Sequence, residues 1–333
     1  MQLRNLNIKI AIYSPNWIGD AVMALPFIQL LKEKNPQAEL NIVCKDWVSA
    51  VFKNNRSVNQ IIPIPQDSIN SFRGTVRIGL KLRSEKFDLF YTLTDSIRSA
   101  IILWLSGARV RVGYDTQMRS LFLTDYKIPP LQSIHRSYKY LSLIEPGVLT
   151  QNIPEISLST FEEDWAKKEM RKLGLNSPIA LAPFSVAKNR TLQNNILDKW
   201  IKNTKNSYLI FGSYNDIEKS NNLIKFCKSD NIKSICGKYS LRQSIALIYF
   251  CKYTLATDSG LGHLSAALGT PTISFFGVGN IAVTAPIGKK NSIIKHCTTC
   301  LGDFCEKNGQ GTSCIKKISK ENIENAVNKI IDQ

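Results

Sequence analysis

Two short segments of this sequence combine a carboxylate with small residues where a helix is expected to begin. The first, residues 14–20, reads Ser-Pro-Asn-Trp-Ile-Gly-Asp and leads into an apolar periodic stretch, so Asp20 lies at a helix start. Aspartate there is a common N-cap, and it is also a candidate general base for an attacking hydroxyl. Both interpretations stay open, although a helix N-terminus favours the ionised form that a base requires.

The second segment, residues 257–263, reads Thr-Asp-Ser-Gly-Leu-Gly-His. Small residues at a helix start allow a ligand to approach free backbone N–H groups, which suits a diphosphate. The spacing fits neither the P-loop nor the dinucleotide-binding fingerprint. The segment therefore predicts either a capped helix or an anion site, whose ligand His263 could also reach.

A third candidate is the polar loop 185–191, which carries Lys188 and Arg190. Two cations can neutralise a phosphate, but a solvated basic loop is an equal alternative in a chain with 43 Lys and Arg residues. No Asp-x-Asp occurs in the sequence, so the acidic pair that commonly holds a divalent ion under a nucleotide diphosphate is missing. Dipoles and cations would then have to meet the charge of a leaving phosphate.

The elements that must position these segments are short β-rich runs alternating with longer helical patterns. This alternation predicts βαβ units and parallel sheets. The predicted strands are residues 9–13, 39–44, 61–64, 88–93 and 109–112, followed by 179–183, 208–211, 233–235, 254–257 and 272–276. The predicted helices are residues 21–34, 96–105 and 137–144, followed by 196–202, 216–228, 241–250 and 261–268. Each half of the chain is therefore predicted to be a doubly wound α/β domain.

The 333 residues suffice for about two domains. Turn signals with little apolar periodicity place a linker near residues 147–157, which gives domains at 1–150 and 151–333. Open α/β sheets bind ligands at the carboxyl ends of their strands. We expect two Rossmann-like domains to face a common cleft, with the three candidate segments at such strand ends.

The composition is that of a soluble globular protein, with 44% hydrophobic and 21% charged residues. No run approaches the roughly 20 apolar residues of a membrane span, and no secretory signal is recognisable, so a cytoplasmic location is expected. The net charge of +17 would attract nucleic acid, an anionic bilayer or phosphorylated small molecules. Nucleic acid is disfavoured because Cys/His fingers, RNP-type aromatic motifs and runs of five basic residues are missing.

Four of the eight cysteines cluster near the C-terminal end, at Cys297, Cys300, Cys305 and Cys314. A structural zinc site usually contains two tight cysteine pairs, and only the first pair here is tight. A structural zinc site and free thiols are the main alternatives, and a disulfide is the least compatible with a reducing compartment. The cluster suggests no catalytic role.

Four parts of the sequence resemble the ADP-heptose:lipopolysaccharide heptosyltransferases, glycosyltransferase family 9. They are the Trp-Ile-Gly-Asp turn with a following proline, segments 95–100 and 111–119, segments 211–213 and 237–241, and segment 258–263. The last fits the family's Asp-(Ser/Thr)-Gly-x-x-His, and the middle segments are closer to the second than to the first heptosyltransferase. The resemblance runs along nearly the whole chain.

This resemblance implies a GT-B fold and an inverting, metal-independent enzyme that needs no cofactor for catalysis. It makes Asp20 the catalytic base. It assigns to donor binding Lys188, Arg190, Gly212, Gly237, Leu241, Asp258, Ser259, Gly260 and His263. It assigns to acceptor binding Trp17, Ser96, Arg98, Arg111 and Arg119.

The function implied is transfer of L-glycero-D-manno-heptose from an ADP-sugar donor to the inner core of lipopolysaccharide, in a Gram-negative cell. The lipid-anchored acceptor and the anionic cytoplasmic leaflet of the inner membrane are then the partners that the positive charge would meet. One departure affects the donor: the family's Lys-x-Trp-Pro here reads Arg-Thr-Leu-Gln at residues 190–193. Another nucleotide sugar, or a non-catalytic nucleotide- or glycan-binding protein, therefore remains an alternative.

Overall fold

The computed structural model describes residues 8–65, 71–131, 133–147, 153–187, 190–192, 194–202, 204–277, 279–295, 315 and 317–331. The chain divides into two compact units, Met1–Ser157 and Leu158–Gln333. Each unit contains a parallel six-stranded sheet with flanking helices. The predicted pair of doubly wound α/β domains is therefore confirmed.

Unit 1 has the strand order β3-β2-β1-β4-β5-β6. Its strands are β1 (Lys9–Tyr13), β2 (Glu39–Lys45), β3 (Gln60–Ile64), β4 (Leu89–Thr92), β5 (Val110–Tyr114) and β6 (Asp125–Lys127). Its helices are α1 (Ile18–Met23), α2 (Leu25–Lys34), α3 (Ser49–Phe52), α4 (Phe72–Leu82), α5 (Ile97–Leu105) and α6 (Arg136–Leu141). The central strand β1 is almost wholly buried, with Ile12 opposite Ile42 of β2 and Tyr91 of β4. A strand covered on both faces reads as a continuous apolar run, as this one does.

Unit 2 repeats the arrangement, with the strand order β12-β11-β10-β7-β8-β9. Its strands are β7 (Ile179–Ala182), β8 (Tyr208–Ile210), β9 (Ile232–Ser234), β10 (Thr254–Thr257), β11 (Thr272–Phe276) and β12 (Asn291–Lys295). Its helices are α7 (Thr160–Lys172), α8 (Asn194–Ile201), α9 (Ile217–Cys227), α10 (Leu241–Tyr249), α11 (Gly260–Ala267), α12 (Ile281–Thr284) and α13 (Lys320–Ile331). Every residue of β7, β10 and β11 is buried. These strands and the apolar faces of the surrounding helices form the core of the unit.

The predicted helix 21–34 is two helices in the structure. Helix α1 begins at Ile18 and ends at Met23, and α2 begins at Leu25 with Pro26 in its first turn. Proline has no N–H and its ring clashes with the preceding turn of a helix, so it fits at a helix start but not in a helix interior. The prediction of one continuous helix across Pro26 was therefore wrong.

Two strands at sheet edges, β6 and β12, were not predicted. β6 is three residues long and mostly exposed, and β12 alternates buried and half-buried positions. Short edge strands bury little apolar surface, so their sequences lack the continuous apolar run that marked the inner strands. Their pairing is decided by the neighbouring strands β5 and β11.

In both sheets the chain winds outward from its first strand in two directions. The winding reverses between β1 and β4 in unit 1, and between β7 and β10 in unit 2. The loops that leave the carboxyl ends of two such strands diverge and leave a crevice, which is where open α/β sheets bind ligands. Residues 14–20 follow β1, and residues 258–263 follow β10.

Candidate active site

Asp20 lies in the first turn of α1, whose N-cap is Trp17. The N-cap interpretation of Asp20 is therefore wrong. The helix begins earlier than predicted because the Trp17 backbone is extended and its carbonyl accepts a hydrogen bond of 2.9 Å from the Ala21 N–H. The indole of Trp17 is 65% exposed.

Asp20 lines a pocket of about 160 Å³ in unit 1, formed by the loops after β1 and β4 and by α6. A second carboxylate, Asp95, lines the same pocket. Arg136 Nη1 lies 3.3 Å from Asp20 Oδ1, and Lys139 Nζ lies 2.6 Å from Asp95 Oδ2. Arg136 and Lys139 are three residues apart in α6, so one face of this helix supplies a cation to each carboxylate.

Burial is the largest influence on the pKa of Asp20. It raises the pKa, the cations of Arg136 and Lys139 lower it, and the net direction is upward. The helix N-terminus was expected to favour the ionised form, but loss of water around a side chain that is 16% exposed outweighs it. A raised pKa makes the ionised carboxylate a stronger base, which suits deprotonation of an alcohol.

We expect Arg136→Met to move the acid limb of the pH profile of kcat/KM to higher pH. Loss of the nearest cation raises the pKa of Asp20 further, so ionisation of this carboxylate, the expected base, requires a higher pH. The variant leaves unchanged the other titratable groups that line the pocket with Asp20, which are Lys139, Asp95 and Tyr140. Arg136→Lys keeps the charge and should leave the limb close to its wild-type position. If the acid limb of the pH profile of Arg136→Met stays at its wild-type position, Arg136 does not influence the pKa of Asp20.

The residues that the resemblance assigns to acceptor binding fall into two groups. Some are exposed at the surface, and others make hydrogen bonds that hold the fold together. Ser96 is the N-cap of α5 and accepts a hydrogen bond from the backbone N–H of Arg98, which is exposed. Arg111 instead donates to two backbone carbonyls, from Nε to Phe122 and from Nη1 to Ala108, each at 2.7 Å. The guanidinium of Arg111 thus ties together the segments on either side of β5.

Arg119 is fully buried and holds the carboxyl ends of two strands together. Its Nε donates to the carbonyl of Tyr114 at 2.7 Å, and its Nη1 donates to the carbonyl of Thr94. Its Nη2 lies 3.8 Å from Asp95 Oδ1. Arg119 therefore supports the loop that forms one wall of the Asp20 pocket.

In unit 2 the structure brings Arg190 and Asp258 together. Arg190 Nη1 lies 2.9 Å from Asp258 Oδ2, and Asp258 is buried at the end of β10. Ser259 is the N-cap of α11, and its buried hydroxyl has no hydrogen-bond partner among the described residues. Gly260 opens the helix, and His263 is buried one turn further along it.

A second group of the residues that the resemblance assigns to donor binding lies after β8 and β9 of the same sheet. The Gly237 N–H donates to the Gly212 carbonyl at 3.1 Å, so the two turns meet. Gly237 has a φ of +70°, and a Cβ at Gly212 would lie 2.8 Å from Cys236 Sγ. Both positions therefore require glycine. Leu241 is the first residue of α10, and Lys188 lies outside the described residues.

Two residues of the Asp20 pocket, Arg136 and Lys139, were missed by the sequence analysis, and Asp95 was included in segment 95–100 without a role of its own. An available signal was the basic pair of α6, because residues three apart share a helix face. The cysteines 297, 300, 305 and 314 lie outside the described residues. Within the part of the chain that is described, no group of three or more His, Cys, Asp or Glu side chains could hold a metal ion.

Residues 75–311 match the profile of glycosyltransferase family 9 (heptosyltransferase). The chain belongs to this family. This family-9 glycosyltransferase is 25% identical over 313 residues to lipopolysaccharide heptosyltransferase 2 of Escherichia coli K12. The aligned region covers 87% of this chain and 88% of that relative.

Solved structures show the fold of this family-9 enzyme. The crystal structure of the family 9 glycosyl transferase from Veillonella parvula superposes with a TM-score of 0.89 at 18% identity, over 100% of both chains. The structure of the E. coli ADP-heptose LPS heptosyltransferase II superposes with a TM-score of 0.83 at 22% identity, over 97% of this chain and 98% of that one. The protein is a GT-B glycosyltransferase of the heptosyltransferase type. None of its described helices has the length and apolar character of a membrane span.

Proposed function

We propose that this enzyme transfers L-glycero-D-manno-heptose from ADP-heptose to the inner core of lipopolysaccharide, with inversion and without a catalytic metal. The observation that carries the proposal is the placement of Asp20: a carboxylate with a raised pKa, at the strand-order reversal of unit 1, in a pocket with Arg136. The E. coli relatives named for this activity support the choice of donor and acceptor.

In this proposal unit 1 binds the acceptor, and Asp20 accepts the proton of the attacking hydroxyl. The hydroxyl oxygen forms a bond to the anomeric carbon from the face opposite the diphosphate. The bond between that carbon and the diphosphate oxygen breaks, and ADP leaves with the electron pair. One displacement inverts the anomeric configuration, and a carboxylate that takes the proton as the bond forms lowers the barrier.

Unit 2 binds the donor in this proposal. Arg190 is held by Asp258 and offers its remaining donors to the diphosphate, while Ser259 and Gly260 leave the first backbone N–H groups of α11 accessible to a phosphate. The absence of Asp-x-Asp from the sequence fits a site in which a guanidinium and a helix N-terminus carry the charge of the leaving group. The turns at Gly212 and Gly237 allow close approach of the nucleoside.

The acceptor proposed here is anchored in lipid, and the net charge of +17 fits peripheral contact with an anionic cytoplasmic leaflet. The same charge suits an acceptor core that carries phosphate and acidic sugars. Attachment would be electrostatic and peripheral.

The proposal is tested first by titration calorimetry with ADP, UDP, GDP and CMP in the presence of a chelator. We expect ADP to bind selectively. Ser259→Tyr should abolish binding, because the larger side chain covers the start of α11. Arg190→Met should weaken ADP binding by roughly 10- to 100-fold, the usual value of one charge-assisted hydrogen bond. Circular dichroism of both variants controls for folding.

A preference for UDP or GDP would overturn the ADP-heptose donor while keeping the glycosyltransferase. One observation makes another donor sugar a second candidate. Leu192, which stands where the family has tryptophan, is 2% exposed and packs in the core of unit 2. A buried leucine cannot supply the pocket wall expected of that tryptophan. Competition between nucleotide sugars separates the two candidates.

A further inference from the structure

Helices α4 and α5 form one continuous outer surface of unit 1. Both belong to crossovers that run in the same direction along the sheet, so right-handed connections place them on the same side. They pack directly against each other at Gly79, where a Cβ would lie 2.5 Å from Leu105 Cβ. The two helices are therefore in direct contact, and their exposed sides are neighbours.

Both helices expose large apolar side chains on their outward sides. On α4, Phe72 is 67% and Leu80 is 49% exposed, and on α5, Trp104 is 50% exposed. The ring of Trp104 packs on Phe122 with centroids 5.8 Å apart, which extends the surface onto the turn that follows β5. We call this surface the α4–α5 face, and define its exposed apolar residues as Phe72, Leu80, Ile97, Trp104 and Leu121.

A basic row borders the α4–α5 face. Arg73, Arg77 and Lys81 are four residues apart, so they line one side of α4, and all three are exposed. Residues 71–84 and 96–114, which contain both helices, include no Asp or Glu. The two helices therefore combine exposed apolar side chains, tryptophan and phenylalanine among them, with charged residues that are all cationic.

We infer that the α4–α5 face is the surface by which this enzyme lies on an anionic membrane. The apolar side chains would enter the headgroup region, and the basic row would meet lipid phosphates. A second copy of the chain is disfavoured as the occupant, because a two-fold interface would bring the same cations of both copies together. The inference rests on the proposed function, since a lipid-anchored acceptor has to be met at a bilayer.

The test is co-sedimentation of the purified full-length protein with vesicles. We expect binding to vesicles of phosphatidylethanolamine and phosphatidylglycerol, weakening with salt, and little binding to phosphatidylcholine alone. The variant R73E/R77E/K81E should bind the anionic vesicles at least ~100-fold more weakly, at about fivefold per cation lost. The variant F72S/L80S keeps every charge and should bind about tenfold more weakly through lost apolar burial.

The matched control is K168E/K225E/K238E, which makes the same change of net charge at exposed positions of unit 2. It should keep most of the binding. An equal loss in this control, or no vesicle binding by the wild type, would overturn the inference, because the face would then have no special role. A change of oligomeric mass in F72S/L80S without loss of vesicle binding would overturn it in favour of self-association.

Heptosyl transfer to a delipidated, water-soluble acceptor separates this inference from the proposed function. We expect both surface variants to retain that transfer, because the α4–α5 face contains none of the residues assigned to the base or the donor site. If the surface variants retain transfer to the soluble acceptor but lose vesicle binding, the result supports the α4–α5 face as the membrane-binding surface. Specific vesicle binding by a wild type that transfers no heptose would refute the proposed activity while supporting the membrane surface.

Discussion

Asp20→Asn is expected to lower kcat by about 10²- to 10⁴-fold, the usual contribution of a positioned general base. The amide keeps the shape of the side chain and its place beside Arg136 but cannot accept the proton of the acceptor hydroxyl. Because Asp20 belongs to unit 1, ADP affinity should change little. Heptosyl transfer measured at saturating donor and calorimetry with ADP together test the expectation.

Asp95→Asn is the matched control, because Asp95 is the other carboxylate of the same pocket. Its carboxylate is 45% exposed and paired with Lys139 at 2.6 Å, which makes it the weaker candidate for a base. We expect Asp95→Asn to raise the acceptor KM with a much smaller loss of kcat. If the two variants exchange these effects, Asp95 is the base and the assignment of Asp20 fails.

Stability supplies an independent check on Asp20→Asn. Because burial raises the pKa of Asp20, the folded state holds its proton more tightly than the unfolded state. Stability is therefore lost as the pH rises from the ordinary aspartate pKa through the raised value, and the ionised group still costs stability at neutral pH. An uncharged amide avoids this cost. The free energy of unfolding of Asp20→Asn should equal or slightly exceed that of the wild type.

Arg119→Met is expected to lower the free energy of unfolding by about 2–4 kcal/mol, the range for loss of a buried, hydrogen-bonded charge. The guanidinium is fully buried and donates to the carbonyls of Tyr114 and Thr94, which methionine would leave without their donor. Urea unfolding measures the change. The acceptor KM should rise as well, because the Thr94 loop forms a wall of the Asp20 pocket.

Arg109→Met is the matched control for this variant. Arg109 is exposed just before β5, and its loss should change the free energy of unfolding by less than about 0.5 kcal/mol. A stable Arg119→Met that nevertheless loses acceptor affinity would assign Arg119 directly to acceptor binding. An unstable variant whose remaining folded fraction has normal turnover would assign it to the scaffold.

The inner strands were predictable because they are buried on both faces. Strands β1, β10 and β11 have the predicted bounds, since short β-rich runs between turn signals mark where a buried strand begins and ends. The edge strands β6 and β12 were not predicted, because their pairing depends on a neighbour that is far away in the sequence. The start of α1 was misplaced because its N-cap, Trp17, makes no side-chain cap.

The amino-acid order determines the doubly wound architecture, the family and the two carboxylate-containing turns, since each depends on local patterns: buried runs, helix starts and motifs of a few residues. Tertiary structure alone decides which charges surround those carboxylates. Arg136 lies more than a hundred residues from Asp20 in the chain and reaches it only because α6 returns to the carboxyl end of β1. The same applies to Arg119, whose burial no local pattern reveals. Electrostatic interactions act through space and depend on burial, so the pKa of Asp20 and the contacts of each arginine are properties of the folded chain.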